Sequence, residues 1–421
     1  MRVVSIAVGL GFFRTGFGGS RTDWAQGAQL FTSLHESKLK EIQEAIKQEG
    51  VSSRCPSRPW LIRLAEEVPD MRIPLLVVKP DEWIATGSGT RVYSYQNLVV
   101  KYLNDDRASL IEGLAVEHAA LKLLTGTPGV PHKYDIFASS VEEEKVCSNR
   151  LSVVDRVGDS DLFDFATKVR GNTLYDLLSI AARAVEIIQL VHNKGIIHGD
   201  IHPGNLMITS SARDIGASLR LIDFGRARLF VNSQGDFVPT GSPVDYTYTP
   251  EYLSPWELKG ELLAPREDLF RLAETLLATG GYSVWFDREV VRLHTECPHP
   301  INPKTYDGPC IYPRMAELKQ SRQFDPDTPQ VLIDFYATTI GLGPAQVVNY
   351  QNWANRFRTQ ARQLAHAAVE EPVDAPKAVS KRRPAKYPKA ARRDAKGREV
   401  RKFKILIPKK DLQGQKPPVA A

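Results

Sequence analysis

The octapeptide "HGDIHPGN", residues 198 to 205, gathers two histidines, an aspartate and an asparagine around two glycines and a proline. Glycine and proline punctuate loops, and Asp and Asn bond their own nearby backbone, so a turn is the simplest reading. A turn alone does not account for Asp200 and Asn205 standing between two apolar, strand-like segments, "GII" and "LMI". Phosphoryl transfer calls for such a pair: a carboxylate to orient and deprotonate a hydroxyl, and an amide oxygen to hold a metal ion against phosphates.

Those side chains need a scaffold, and the flanking sequence supplies two kinds. Strand-like stretches with Gly-rich turns between them come first: "IPLLVVK", "EWIATGSGTRVYSY" and "NLVVKYL". "ASLIEGLAVEHAALKLLTG" then repeats apolar residues at three and four, which predicts an amphipathic helix ending near Gly126. Further strands are expected over "RLSVVDRV" and "LFDFATKV". Helices dominate from "TLYDLLSIAARAVEIIQLVHNKG" onward, including "REDLFRLAETLLATGG" and "PDTPQVLIDFYATTIG". Near the N-terminus, "HESKLKEIQEAIKQEG" suits a short solvent-facing helix ended by Gly50. The expected architecture is α+β, a small β-rich lobe followed by a larger helical one. Its boundaries are an N-terminal extension over 1–75, a two-lobed domain over 76–365 dividing near 170, and a tail over 366–421.

Composition agrees with a globular body: 42% of the residues are apolar and 25% charged. No apolar run reaches the ~18 to 20 residues needed to span a bilayer, so no transmembrane segment is expected. "MRVVSIAVGLGFF" has the outline of a signal peptide, but Arg14 follows at once and no small-residue cleavage site stands out. A cytoplasmic or nuclear location is expected, with secretion as the other reading of that stretch. The four cysteines are scattered and expected to be free thiols, with a Cys297–Cys310 disulfide as the other reading if the chain is secreted, and His294, Cys297, His299 and Cys310 lack the regular spacing of a zinc site. Residues 371–421 hold 16 Lys and Arg against 5 acids, in a chain whose net charge is +6. The body is therefore mildly acidic, and the tail is a basic arm without apolar periodicity, suited to nucleic acid, anionic lipid or an acidic protein.

The order of a Gly-rich hairpin, a strand lysine, a helix glutamate, "HGDIHPGN", "IDFG" and "TPEYLSP" resembles the eukaryotic-type protein kinase superfamily over about residues 80 to 360. The resemblance implies a bilobal fold, ATP with Mg²⁺ (or Mn²⁺) as cofactors, and a protein substrate. It makes Gly87, Ser88 and Gly89 a phosphate-covering hairpin, and adds Thr167, near the lobe boundary, to the nucleotide-contacting set. Lys101 would pair the phosphates with a helix glutamate, Glu117 or, as runner-up, Glu112. Asp200 would be the catalytic base, His198 a packed structural histidine, and Asn205 and Asp223 the metal ligands. Thr249 falls where Ser/Thr kinases bond the catalytic aspartate, and Asp268 on the helix aspartate that braces the catalytic loop.

The chain departs from the family pattern at several positions. Val92 stands at the third glycine, Gly199 at an arginine that binds a phosphorylated activation loop, and His202 at a lysine. As an imidazolium, His202 would assist the γ-phosphate, and activity would then fall between about pH 6.5 and 7.5. Trp256 replaces the glutamate after the proline, which puts its usual salt bridge in question although Glu257 is adjacent. The "HGDxHxxN" form is also similar to small-molecule kinases of the aminoglycoside phosphotransferase type, and the altered motifs would suit a pseudokinase scaffold. The downstream "TPEYLSPWEL" favours a Ser/Thr protein kinase over both.

Overall fold

The computed structural model describes residues 20–49, 60–68, 71, 75–78, 85–86, 90–103, 105, 107–137, 149–166, 173–240, 253–297, 308–344, 346 and 348–370. The β-rich part is a five-stranded antiparallel sheet in the order β3-β4-β5-β7-β6. Its strands are β3 (Ala85–Thr86), β4 (Thr90–Tyr95), β5 (Leu98–Leu103), β6 (Lys133–Tyr134) and β7 (Leu151–Asp155). Strand alternation decides which face each side chain meets. Leu98, Val100 and Tyr102 of β5 are buried with Tyr93, Tyr134, Leu151 and Val153 in one cluster. Lys101 lies between them in sequence, across from Val92 on β4 and Ser152 on β7, and so points to the opposite face.

The first face is covered by a hairpin that lies mostly in the stretch read as an extension. β1 (Trp60–Arg63) pairs antiparallel with β2 (Leu75–Val78), and Leu64 bridges to Ile136 beside β6. Ile62, Leu64 and Leu76 complete the apolar cluster beneath. The expected boundary at residue 75 therefore cuts a strand pair.

The other face receives α2 (Ala108–Leu123), and along α2 runs α1 (Arg21–Glu49). The sequence reading began this helix at His35. It starts fourteen residues earlier because Ser20 and Asp23 cap each other, Ser20 N donating to Asp23 Oδ2 at 3.0 Å and Asp23 N to Ser20 Oγ at 3.1 Å. Trp24, Ala28 and Phe31, spaced for one helix face, are then buried against the larger core. Further along, Ile42 packs with Ile111, Leu114 and Ala115 of α2 and Leu103 of β5.

Over its described residues, 162–166, the strand expected for "LFDFATKV" is not formed. Asp161 ends a two-residue strand, β8 (Ser160–Asp161), and accepts from Asp164 N at 2.6 Å, so Leu162–Asp164 form a helical turn instead. A local cap outweighs weak strand propensity there. Residues 167–170 lie outside the described set.

The helical part is built round α3 (Leu174–His192), α5 (Pro265–Thr279), α8 (Gln330–Ile340) and α9 (Tyr350–Glu370). α3 and α5 are buried along nearly their whole length. α4 (Pro255–Leu258), α6 (Val284–Glu296) and α7 (Gly308–Gln320) form a second cluster, with Leu253, Leu258, Phe286, Ile311 and Met315 inside. Cys297 in that cluster is buried and disulfide-bonded, not the expected free thiol. Cys297 packs with Leu293, Ile311 and Tyr312 in that cluster, a burial that cysteine spacing alone does not encode. The side chains of His294, His299 and Cys310 lie outside the described set. α9 continues to Glu370, past the expected tail boundary at 366, because Trp353, Phe357 and Ala361 give it a buried face. Among the described residues no helix is long and apolar enough to cross a membrane.

Candidate active site

Four short strands carry the site: β9 (Ile196–Ile197), β10 (Leu206–Ile208), β11 (Arg220–Leu221) and β12 (Arg228–Leu229). β9 pairs with β12 and β10 with β11, so the loop 198–205 and the segment 222–227 face one another. The loop is anchored from below by α5. Asp268 is fully buried, and its Oδ2 accepts from His198 N at 2.7 Å while Oδ1 accepts from Gly199 N at 2.8 Å. His192 on α3 touches the same Oδ2 at 2.9 Å and the Tyr350 hydroxyl at 2.6 Å. Burial alone would raise the pKa of Asp268, but the His192 contact and these amides outweigh it and hold the carboxylate below its ordinary value.

Gly199 answers a backbone demand. Its φ is +74°, and a Cβ there would stand 2.8 Å from the Arg226 carbonyl oxygen. His198 is buried, with Nε2 3.0 Å from the Ile222 carbonyl and its ring edge-on to Phe224 at 4.7 Å. The Asn205 amide nitrogen donates to the Asp200 carbonyl at 2.9 Å, which leaves its amide oxygen for a cation.

The structure brings Lys101, Glu117 and Asp223 together. Lys101 Nζ lies 2.9 Å from Glu117 Oε1 and 3.3 Å from Asp223 Oδ1. Glu112 instead faces His35 of α1 at 3.0 Å, so the runner-up is not the partner. Burial would lower the Lys101 pKa, but Asp223 and Glu117 overcome it and hold the ammonium charged. Lys101 in turn holds Asp223 below its ordinary value, whereas burial raises Glu117. Phe224 is fully buried, which leaves the adjacent Asp223, at φ +66°, facing outward with half its side chain exposed. The Asp223 carboxylate and the Asn205 amide oxygen, on segments joined by the bond from Ile222 N to the Asn205 carbonyl at 3.0 Å, are hard oxygen donors of the kind Mg²⁺ takes.

Asp200 meets His202 and two arginines that the sequence did not single out. Arg226 Nη1 approaches its Oδ1 at 3.3 Å and Arg271 Nη1 at 3.7 Å, while His202 Nε2 stands 3.9 Å from Oδ2. The imidazolium expected at His202 does not suit this setting: burial, aided by Arg271 and Arg226, pushes its pKa below the ordinary value. Its Nδ1 accepts from Gly204 N at 3.1 Å, consistent with a neutral ring. Gly87, Ser88, Gly89, Thr167 and Thr249 lie outside the described residues.

The salt bridge questioned at Trp256 exists one position on. Ser254 and Glu257 form a capping box at the start of α4, and Glu257 receives Arg271 Nη2 at 2.7 Å. Trp256 has another use: the Arg266 guanidinium lies 4.0 Å from its ring centre. The Ser-x-x-Glu box was visible in sequence, but nothing there marked Arg271 or Arg226.

Comparison with known proteins agrees with this geometry. Residues 85–290 match the protein kinase domain family. The serine/threonine-protein kinase pkn2 of Myxococcus xanthus is 39% identical over 114 residues, 24% of this chain and 13% of that protein. The calcium/calmodulin-dependent protein kinase type II alpha chain of Drosophila melanogaster is 29% identical over 171 residues, 40% of this chain and 29% of that one. Casein kinase I homolog 2 of Saccharomyces cerevisiae is 26% identical over 144 residues, 34% of this chain and 24% of that one. The matches thus span under a third of each relative. With a lysine, a helix glutamate and an outward aspartate in contact near a braced "HGD" loop, and with the match over the same stretch, residues 85–290 form a domain of the protein kinase family.

Proposed function

We propose that the chain is a Ser/Thr protein kinase that transfers the γ-phosphoryl group of Mg-ATP to a protein hydroxyl. The observation that carries this reading is Lys101 held between Glu117 and Asp223, with Asp200 on the facing loop. Lys101 would bind the α- and β-phosphates, with the hairpin Gly87, Ser88 and Gly89 over them and Thr167 at the nucleotide's edge. Asp223 and Asn205 would hold Mg²⁺, which when bound neutralises phosphate charge. Asp200 orients the acceptor hydroxyl and takes its proton as the new oxygen–phosphorus bond forms and ADP departs. Thr249 would bond Asp200 from the acceptor side.

The small-molecule kinase reading is disfavoured by the anchored segment Leu253–Leu258, which a protein acceptor needs and a small one does not. A pseudokinase scaffold is disfavoured by the presence of Lys101, Glu117, Asp200, Asn205 and Asp223 together. The basic tail would add a polyanion-binding arm, and heparin retention of the full chain against a variant ending at residue 374 tests that part. The kinase reading is tested by incubation with labelled ATP, a Ser/Thr peptide library and aminoglycosides. Label on serine or threonine is expected; label on aminoglycosides alone, or none, refutes it.

A further inference from the structure

Arg271 is a buried arginine on α5, only 1% exposed, three residues after the aspartate that braces the catalytic loop. A buried guanidinium needs partners for its charge and its donors. Glu257 serves two of the nitrogens: Nη2 lies 2.7 Å and 2.9 Å from the two carboxylate oxygens and Nε 3.2 Å from one of them. Nη1 makes no hydrogen bond among the described residues and faces Asp200 Oδ1 at 3.7 Å. Glu257 also accepts from Ser254 N at 2.9 Å, closing the first turn of α4. One rigid fork therefore joins the segment after "TPEYL" to the carboxylate of "HGD".

We infer that Arg271 is a positioning residue that fixes the Asp200 carboxylate relative to the segment Ser254–Leu258, so that Oδ2 remains for the acceptor hydroxyl. Together with Arg226 it occupies the Oδ1 side and prevents the carboxylate from turning. The guanidinium suits this task because its planar fork bonds Glu257 from two nitrogens and still aims a third elsewhere. A lysine ammonium can satisfy Glu257 but has no second, rigidly separated donor for Asp200. The inference deepens the kinase reading and rests on it.

Two variants separate positioning from support. Arg271→Lys keeps a cation for Glu257 and loses the reach to Asp200. The pair Glu257→Gln with Arg271→Met removes both buried charges and keeps an acceptor for Ser254 N. Phosphorylation of a Ser/Thr peptide by the full chain should show kcat lowered about ten- to hundredfold in each variant, the scale of a small misalignment of a reacting group. KM for ATP and the melting temperature of Arg271→Lys should stay near wild type. Full kcat in Arg271→Lys overturns the inference whether or not the paired variant folds, and so does full kcat in a folded paired variant. A wild-type chain that labels no peptide refutes the kinase reading, and this inference with it.

Discussion

The indole of Trp24 donates to the Asn193 carbonyl at 2.9 Å, joining α1 to the turn that ends α3. The same ring meets Phe230 edge-on at 5.9 Å, Phe230 meets His192 at 6.0 Å, and His192 bonds the Asp268 carboxylate that holds the catalytic loop. The N-terminal helix is thereby in contact with α2 on one side and with the support of the catalytic loop on the other. Trp24→Ala should cost about 3 to 5 kcal/mol of stability, the range for a buried aromatic, in urea unfolding of the full chain. A loss under 1 kcal/mol would show that α1 adds little to the domain.

Asp223 and Asp200 should fail in different ways. Asp223→Ala removes the exposed carboxylate beside Lys101 and should weaken Mg-ATP binding and abolish transfer. Asp200→Asn should leave nucleotide affinity nearly intact while lowering kcat by roughly 10² to 10⁴. Equal losses of nucleotide affinity in the two variants would contradict these roles.

His202 should not act as a titrating cation near neutrality. Burial pushes its pKa below the ordinary value, so the loss of its charge is displaced to lower pH and the rate should stay flat between about pH 6.5 and 7.5. A rate that falls across that window, in a profile that His202→Lys flattens, would restore the charged role.

Gly199→Ala tests the backbone of the catalytic loop. At φ +74°, with the new Cβ 2.8 Å from the Arg226 carbonyl, any side chain is strained. Destabilisation of about 1 to 3 kcal/mol is expected, together with reduced kcat because Asp200 follows directly. An alanine variant with wild-type melting and rate would remove the steric argument.

Glu267 links stability to pH. Burial raises its pKa to about 8 from an ordinary 4.5, so between those values the folded chain binds more protons than the unfolded chain. This contribution to stability is therefore lost as pH rises through that window. Glu267→Gln removes the slope, and its melting temperature should gain on wild type from about pH 5 to pH 8. A constant difference across that range would count against the raised pKa.

Much of the site was legible because local chemistry encodes it. "HGDIHPGN" and "IDFG" place Asp200, Asn205 and Asp223 on two adjoining turns, and strand alternation in "LVVKYL" puts Lys101 on one sheet face. The long central helices followed from apolar periodicity. Other features were locally readable but passed over, such as the Ser20 and Asp23 cap that starts α1 and the Ser254 and Glu257 box. What only the tertiary structure decided are contacts between residues far apart in sequence. Glu117 rather than Glu112 reaches Lys101 because it lies on the buried face of α2, whereas Glu112 lies on a more exposed face toward His35 of α1. Arg271 meets Glu257 and Asp200 because α5 runs beneath both, and the His202 pKa lies below its ordinary value because packing partly buries the ring. Spacing along the chain determines turns, faces and caps, whereas burial and long-range pairing set the charge and aim of each catalytic side chain.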